Sequence, residues 1–172
     1  MKKIILLFAA IIMMVAFTTK VMAQISNMTV PNASRAEVLT AIGLVAHNPL
    51  EFGGFTSGAL GTVVISPSGA RTFTGGVILY ATTITPTAAS YTVTGAPNTP
   101  YTIVVPTIDQ LLVHVGNSSS MPANTFTCSY SPPASTLSQT GTDAFTIGAT
   151  LNVGSSQAPG LYIGTFNITI AY

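Results

Sequence analysis

The stretch GLYIGTFNITIAY, residues 160–172, decides the fold of this chain. Apolar side chains occupy every second position of this stretch, and Gly164 is the only gap in the series. They are Tyr162, Phe166, Ile168, Ile170 and Tyr172. Because successive side chains of a strand point to opposite faces, this pattern predicts a half-buried β-strand. The stretch ends on an aromatic ring without a polar tail. We therefore expect it either to pair inside a sheet or to be offered to another polypeptide.

Shorter strand signals recur along the rest of the chain. They are alternating or β-branched runs over residues 38–44, 60–66, 76–82, 90–95, 101–105, 111–115, 126–130 and 145–153. Glycine and proline residues separate the runs, as expected for turns. No stretch combines helical apolar spacing with capping residues. Eight or nine short strands without room for helical crossovers predict an all-β fold, namely an antiparallel immunoglobulin-like β-sandwich.

The first 23 residues have the pattern of a secretory signal peptide. Lys2 and Lys3 precede an apolar run over residues 4–17, and Val21-Met22-Ala23 suits cleavage before Gln24. The run is shorter than the roughly 20 residues that span a bilayer, so we expect no membrane span after cleavage. The predicted organisation is a signal peptide over residues 1–23, an N-terminal arm over 24–36 and a β-sandwich domain over 37–172.

Charge is scarce beyond the predicted cleavage site. The residues from 24 onward include two arginines and four carboxylates, and all three lysines of the chain precede residue 24. Without a cationic stripe to displace counterions, we expect no nucleic-acid binding. Low charge also leaves sheet edges poorly protected, which favours a subunit that associates.

The sequence offers little catalytic chemistry. His47 adjoins a turn, and His114 has the parity opposite to Leu111 and Val113, so we expect it to face solvent. No residues have metal-ligand spacing, and the carboxylates have no nearby partners. We therefore expect neither an enzyme nor a bound cofactor or metal. Cys128 is the single cysteine and is interpreted as a buried thiol, with an intermolecular disulfide as the alternative.

Several blocks resemble a family of uncharacterised secreted bacterial β-domains, which is similar to spore coat protein U and more distantly to the pilins of chaperone–usher systems. The resemblance runs from about residue 50 to residue 172. Its most specific parts are Gly-Ala-Thr-Leu and Pro-Gly-x-Tyr-x-Gly-Thr-Phe. The matching blocks are LEFG at residues 50–53, GTV at 61–63, ISPSG at 65–69, GGV at 75–77, YTVTG at 91–95, YTIVVP at 101–106, IGATLNV at 147–153 and PGLYIGTF at 159–166.

The pilin resemblance implies a structural subunit, secreted through the periplasm to the cell surface and polymerised by β-strand addition. A periplasmic chaperone and an outer-membrane usher would be its partners. The implied interaction strand comprises Gly160, Tyr162, Phe166, Ile168, Ile170 and Tyr172. The implied donor arm carries Met28 and Val30, which share one parity. The alternative is a self-complete surface domain, such as an adhesin that binds carbohydrate or protein, in which residues 38–46 or the terminal strand complete the sandwich in cis.

Overall fold

The structure, a computed structural model, describes residues 31–172. The predicted signal peptide over residues 1–23 and the predicted donor residues Met28 and Val30 lie outside this range. The chain divides into two units, Met1–Glu37 and Val38–Tyr172. Residues 31–37 have no regular secondary structure and are exposed, and all strands of the described residues belong to the second unit. Within residues 31–172 the fold is all-β and antiparallel, without a helix, which confirms the predicted class.

The strands are β1 (Gly43–Asn48), β2 (Gly54–Ile65), β3 (Arg71–Tyr80), β4 (Ala89–Thr94), β5 (Pro100–Val104), β6 (Gln110–His114), β7 (Ser120–Cys128), β8 (Ala134–Thr136), β9 (Thr142–Val153), β10 (Tyr162–Ile163) and β11 (Thr169–Ala171). Eight of them form a curled sheet with the path β1-β4-β9-β7-β6-β10, to which β2 and β3 are joined through β9. A smaller sheet has the order β11-β5-β8.

The long strand β9 organises the larger sheet. Its first half pairs with β4, its second half pairs with β2, and β7 pairs along its opposite edge. Every second side chain of β9 is buried, as its alternation predicts. These core residues are Phe145, Ile147, Ala149, Leu151 and Val153.

The smaller sheet lies near one end of β9. Tyr101 of β5 donates its hydroxyl hydrogen to the carboxylate of Asp143, at 2.9 Å. Leu151 stands eight residues further along β9, which is about 27 Å at the usual rise of a strand. The end of β9 that carries Leu151 is therefore distant from the contact with β5, and this end becomes important below.

A bulge in β7 changes which side chains point inward. Met121 and Ala123 are buried before it, whereas Phe126 is buried after it, so the inward parity switches from odd to even numbers. The register shifts between Asn124 and Thr127, and Thr125 has a positive φ of 49°. An extra residue in one strand explains the switch. Cys128 follows on the inward parity, half-buried against the core and free.

One predicted orientation is wrong. On β6, Leu112 and His114 are half-buried, while Leu111 is 55% and Val113 is 45% exposed. The inward parity is therefore the reverse of the one expected, and His114 does not simply face solvent. The run Leu111-Leu112-Val113 is apolar on both parities, so alternation alone cannot assign its faces.

Candidate strand-addition edge

Residues 160–172, called the C-terminal segment below, are laddered in two short pieces that belong to different sheets. Tyr162 and Ile163 pair with His114 and Val113 of β6. Residues 169–171 pair with residues 102–104 of β5. Residues 164–168 between them belong to no strand. The prediction of one continuous strand over this stretch is therefore wrong.

Gly164 gives a physical reason for the break. A Cβ atom at this position would lie 2.6 Å from the carbonyl oxygen of Leu111. Because glycine lacks this atom, the chain can approach the β6 backbone closely and leave the ladder there. The gap that Gly164 makes in the apolar series thus coincides with the point where the segment leaves the larger sheet.

Alternate side chains of the C-terminal segment continue to point inward across this break. Tyr162, Phe166, Ile168 and Ile170 are all half-buried and pack against the hydrophobic core. Asn167, on the opposite parity, is exposed. The side chains of Phe166 and Ile168 thus pack against the core, while the backbone of residues 164–168 belongs to no strand.

Tyr172 is placed differently, because this residue is 44% exposed. Its hydroxyl accepts a hydrogen bond from the backbone N–H of Ala96 and donates one to the carbonyl oxygen of Thr40, both at 2.7 Å. A Cβ atom on Gly95 would collide with this hydroxyl. Tyr172 therefore ties the last strand to two separate parts of the same unit.

Gly160 begins the C-terminal segment with an unusual backbone. Its φ is +144°, and a Cβ atom there would collide with the imidazole of His114. That imidazole bonds to the carbonyl oxygen of Pro159 through Nε2 at 3.0 Å and packs edge-on against Tyr162, with ring centroids 5.0 Å apart. Sequence reasoning selected Gly160 and Tyr162 but missed His114, the residue that joins them to β6.

A groove of about 1170 Å³ lies beside the C-terminal segment. Residues 157–166 line it, together with residues 49–57, 80 and 82–84. Its lining also includes the apolar residues Leu112, Met121, Ala123, Phe126 and Leu151. Small-molecule pockets usually measure about 300–1,000 Å³, so this groove is somewhat large for such a ligand. Glu51 is the only charged side chain among the described residues that line it.

The outer surface next to this groove is apolar as well. We call it the β6–β10 face, and it consists of Leu111, Val113, Val115, Leu161 and Ile163, which are 45–64% exposed. Val113 and Ile163 are direct cross-strand partners. Edge strands of monomeric proteins are commonly protected by charges, and neither β6 nor β10 carries Asp, Glu, Lys or Arg. The sequence pattern had predicted that Leu111 and Val113, two residues of this face, point inward.

The most strongly perturbed titratable groups lie elsewhere. The carboxylate of Asp143 accepts hydrogen bonds from the hydroxyls of Tyr101 and Tyr130 and from the backbone N–H of Ala144, at 2.8–3.0 Å. Burial and the neighbouring carboxylate raise the pKa of Tyr101. Burial alone would raise the pKa of Asp143, but the hydrogen bonds of Ser135, Ala144 and the two phenols hold it below its usual value. This cluster ties β5 and the residues that follow β7 to β9.

The two histidines are not brought together. His47 belongs to β1 and His114 to β6, on opposite sides of β9 in the sheet, and His47 bonds to Thr92. Across residues 31–172 no cluster of His, Cys, Asp or Glu has the composition of a metal site. In the same residues no helix is long and apolar enough to cross a bilayer.

Comparison with known proteins gives one match. The model of a family described as a domain of unknown function, DUF4402, covers residues 42–172, from the residue before β1 to the last residue of the sequence. No curated protein and no solved structure matches the chain. Because the matched range includes every strand and more than half of the chain, this protein belongs to the DUF4402 family.

Proposed function

We propose that this chain is an exported structural subunit of a cell-surface fibre or coat, assembled by β-strand addition. One observation carries the proposal: residues 164–168 belong to no strand, and residues 164–166 line an apolar groove. In strand addition, backbone hydrogen bonds supply affinity, and alternate side chains of the added chain fill a groove. An uncovered apolar groove also favours a partner, at roughly 25 cal/mol for each Å² that is buried.

We infer that the two sheets form an immunoglobulin-like sandwich of the pilin type that lacks one strand. The groove occupies the part of β9 that carries Leu151, whereas β5 contacts the distant part that carries Asp143. A strand laid along residues 164–168 would cover this groove. The resemblance of residues 50–172 to a β-domain family that is similar to spore coat protein U, and more distantly to chaperone–usher pilins, supports this interpretation.

The donor in this proposal is the N-terminal arm, residues 24–36, of a neighbouring subunit, with Met28 and Val30 entering the groove. Before assembly, a periplasmic chaperone would cover the same edge, and an outer-membrane usher would export the subunit. The signal-like residues 1–23 support export through the periplasm. The scarcity of charge fits an apolar partner, since Glu51 alone among the described lining residues would need a counter-charge.

A self-complete surface domain that binds carbohydrate or protein is the second candidate. The ladder of β11 with β5 and the two hydrogen bonds of the Tyr172 hydroxyl favour it, because they attach the last strand within one chain. In this case the groove would be a ligand site of a monomer. The two candidates therefore differ in what fills the groove.

Deleting residues 24–36 from the exported chain distinguishes them. The subunit proposal expects the full chain to form polymers and the truncated chain to remain monomeric, measured by light scattering after size-exclusion chromatography. A synthetic peptide of residues 24–36 should then bind the truncated chain. A full chain that remains a stable monomer and binds glycans saturably on an array would instead establish the second candidate.

A substitution at Ile168 tests the same edge within cells. Ile168→Asp places a carboxylate against the core, where desolvation is costly, so we expect secretion to fall sharply. Asn167→Asp introduces the same charge on the exposed neighbour and serves as the matched control. Equal secretion of the two variants would contradict a role for the inward face of this segment.

A further inference from the structure

We propose that His114 is a pH-sensitive clasp that holds β10 on β6 and weakens when the imidazole takes up a second proton. The clasp consists of His114, Gly116 and Pro159. It is a property of the single chain, so it goes beyond the proposed function and does not depend on it.

The hydrogen bonds of the ring fix its protonation state. The backbone N–H of Gly116 points at Nδ1 at 2.8 Å, and the carbonyl oxygen of Pro159 lies 3.0 Å from Nε2. An amide N–H can only donate, so Nδ1 must present its lone pair. A carbonyl oxygen can only accept, so Nε2 must carry the hydrogen. Both bonds therefore form only with the neutral imidazole that is protonated at Nε2.

A second proton destroys one of these bonds. It would sit on Nδ1 and face the N–H of Gly116, so two donors would point at each other without an acceptor. Either the ring or the turn at residues 115–119 must then move. Acidification is the condition that supplies this proton, so a change of pH tests the step.

Movement of the ring is transmitted to β10. The imidazole lies where a Cβ of Gly160 would be, and it packs edge-on against Tyr162 at an interplanar angle of 86°. The ladder of β10 has only two residues, supplemented by the bond from the N–H of Val115 to the carbonyl oxygen of Leu161 at 2.9 Å. So short a ladder depends strongly on the contacts around it.

The neighbouring elements offer the imidazolium no compensation. The ring is surrounded by β6, the turn at residues 115–119, the loop at 154–161 and β10, with β7 beyond the ladder of β6. Among these described elements Tyr162 is the only titratable side chain near the ring, and none of them carries Asp, Glu, Lys or Arg. The Tyr162 hydroxyl donates to the carbonyl oxygen of Ala158 at 2.7 Å and accepts from Gln157 at 2.9 Å. Cys128 lies at the opposite end of β7, where it pairs with β9.

Nitrogen NMR of the exported chain labelled at histidine tests the first step. At pH 7.5 we expect the His114 signals of the form protonated at Nε2 only, with His47 as the internal reference. At pH 5 both ring nitrogens should be protonated. The form protonated at Nδ1 only, seen at pH 7.5, would overturn the proposal without any variant.

Amide hydrogen exchange tests the second step. Between pH 7.5 and pH 5 the protection factor of the Val115 amide should fall about threefold to tenfold relative to that of Leu151 in β9, as expected for the loss of one hydrogen bond. His114→Gln removes the titration and should abolish this difference, whereas His47→Gln should retain it. A Val115 protection that is independent of pH, or the same pH dependence in His114→Gln, would overturn the proposal.

Discussion

Phe166 of the C-terminal segment packs against Phe126 of β7, with ring centroids 5.0 Å apart and planes tilted by 39°. Both rings line the groove, and Phe166 belongs to the part of the segment that lies outside any strand. Side-chain packing therefore holds residues 164–168 in place where no ladder does. In the proposed assembly another strand would pair with this backbone, next to a core that is already in position.

Phe166→Ala should destabilise the fold measurably. Truncating a buried Phe costs about 3–5 kcal/mol, and because Phe166 is only half-buried we expect about 2 kcal/mol. Urea unfolding measures this free energy. Asn167→Ala changes an exposed neighbour and should remain within about 0.5 kcal/mol of the original chain. Similar values for the two variants would show that the ring contact does not hold the segment.

Gly160→Ala should cost more than Gly69→Ala. Both glycines have a positive φ, +144° and +82°, so both variants are strained in their backbone. Only at Gly160 would the new Cβ meet another residue, His114, whereas nothing lies within 4 Å of the position at Gly69. Thermal unfolding of the two variants separates the collision from the backbone strain. Equal losses in melting temperature would contradict the close packing of Gly160 on His114.

The carboxyl group of Asp143 should make the free energy of unfolding depend on pH in the acidic range. Hydrogen bonding holds its pKa below the usual value in the folded state, so its contribution is present above the unfolded pKa and is lost as the pH falls through the folded one. We expect the free energy of unfolding to decline below about pH 4. Asp143→Asn should flatten this decline, and Asp109→Asn, at an exposed carboxylate, is the control variant. Urea titrations between pH 2 and pH 6 measure the difference.

Ile163→Lys should reduce self-association without unfolding the chain. Ile163 is 58% exposed on the β6–β10 face, so a lysine can reach water there and protect the edge with its charge. Val45→Lys places the same charge on β1, at a side chain that is 53% exposed. Sedimentation velocity at increasing protein concentration should show weaker association for Ile163→Lys only. Equal behaviour of both would mean that net charge, rather than this face, controls association.

The sequence predicts the buried side chains best in strands that are apolar on one face only. The alternation from Phe145 to Val153 is long and regular, and the structure buries those residues as expected. In β6 the run Leu111-Leu112-Val113 is apolar on both parities, and the face that is buried depends on tertiary packing that no local pattern contains.

Two further features needed information from distant residues. The bulge around Thr125 reverses the inward parity of β7, and nothing in the sequence around it marks an inserted residue. The break at Gly164 has a local signal, the missing apolar side chain. Its meaning depends on Leu111, more than fifty positions away, whose carbonyl oxygen occupies the space of a Cβ. The inward residues of the candidate edge were thus predictable, but its division between two sheets was not.

Amide exchange at residues 164–168, before and after assembly, tests the central claim most directly. The account predicts rapid exchange in the monomer lacking residues 24–36, and strong protection when the peptide of residues 24–36 or a neighbouring subunit is bound. The amides of β9 should stay protected in both states and serve as the reference. Protection at residues 164–168 that is already complete in the monomer, or that does not change on assembly, would contradict strand addition at this edge.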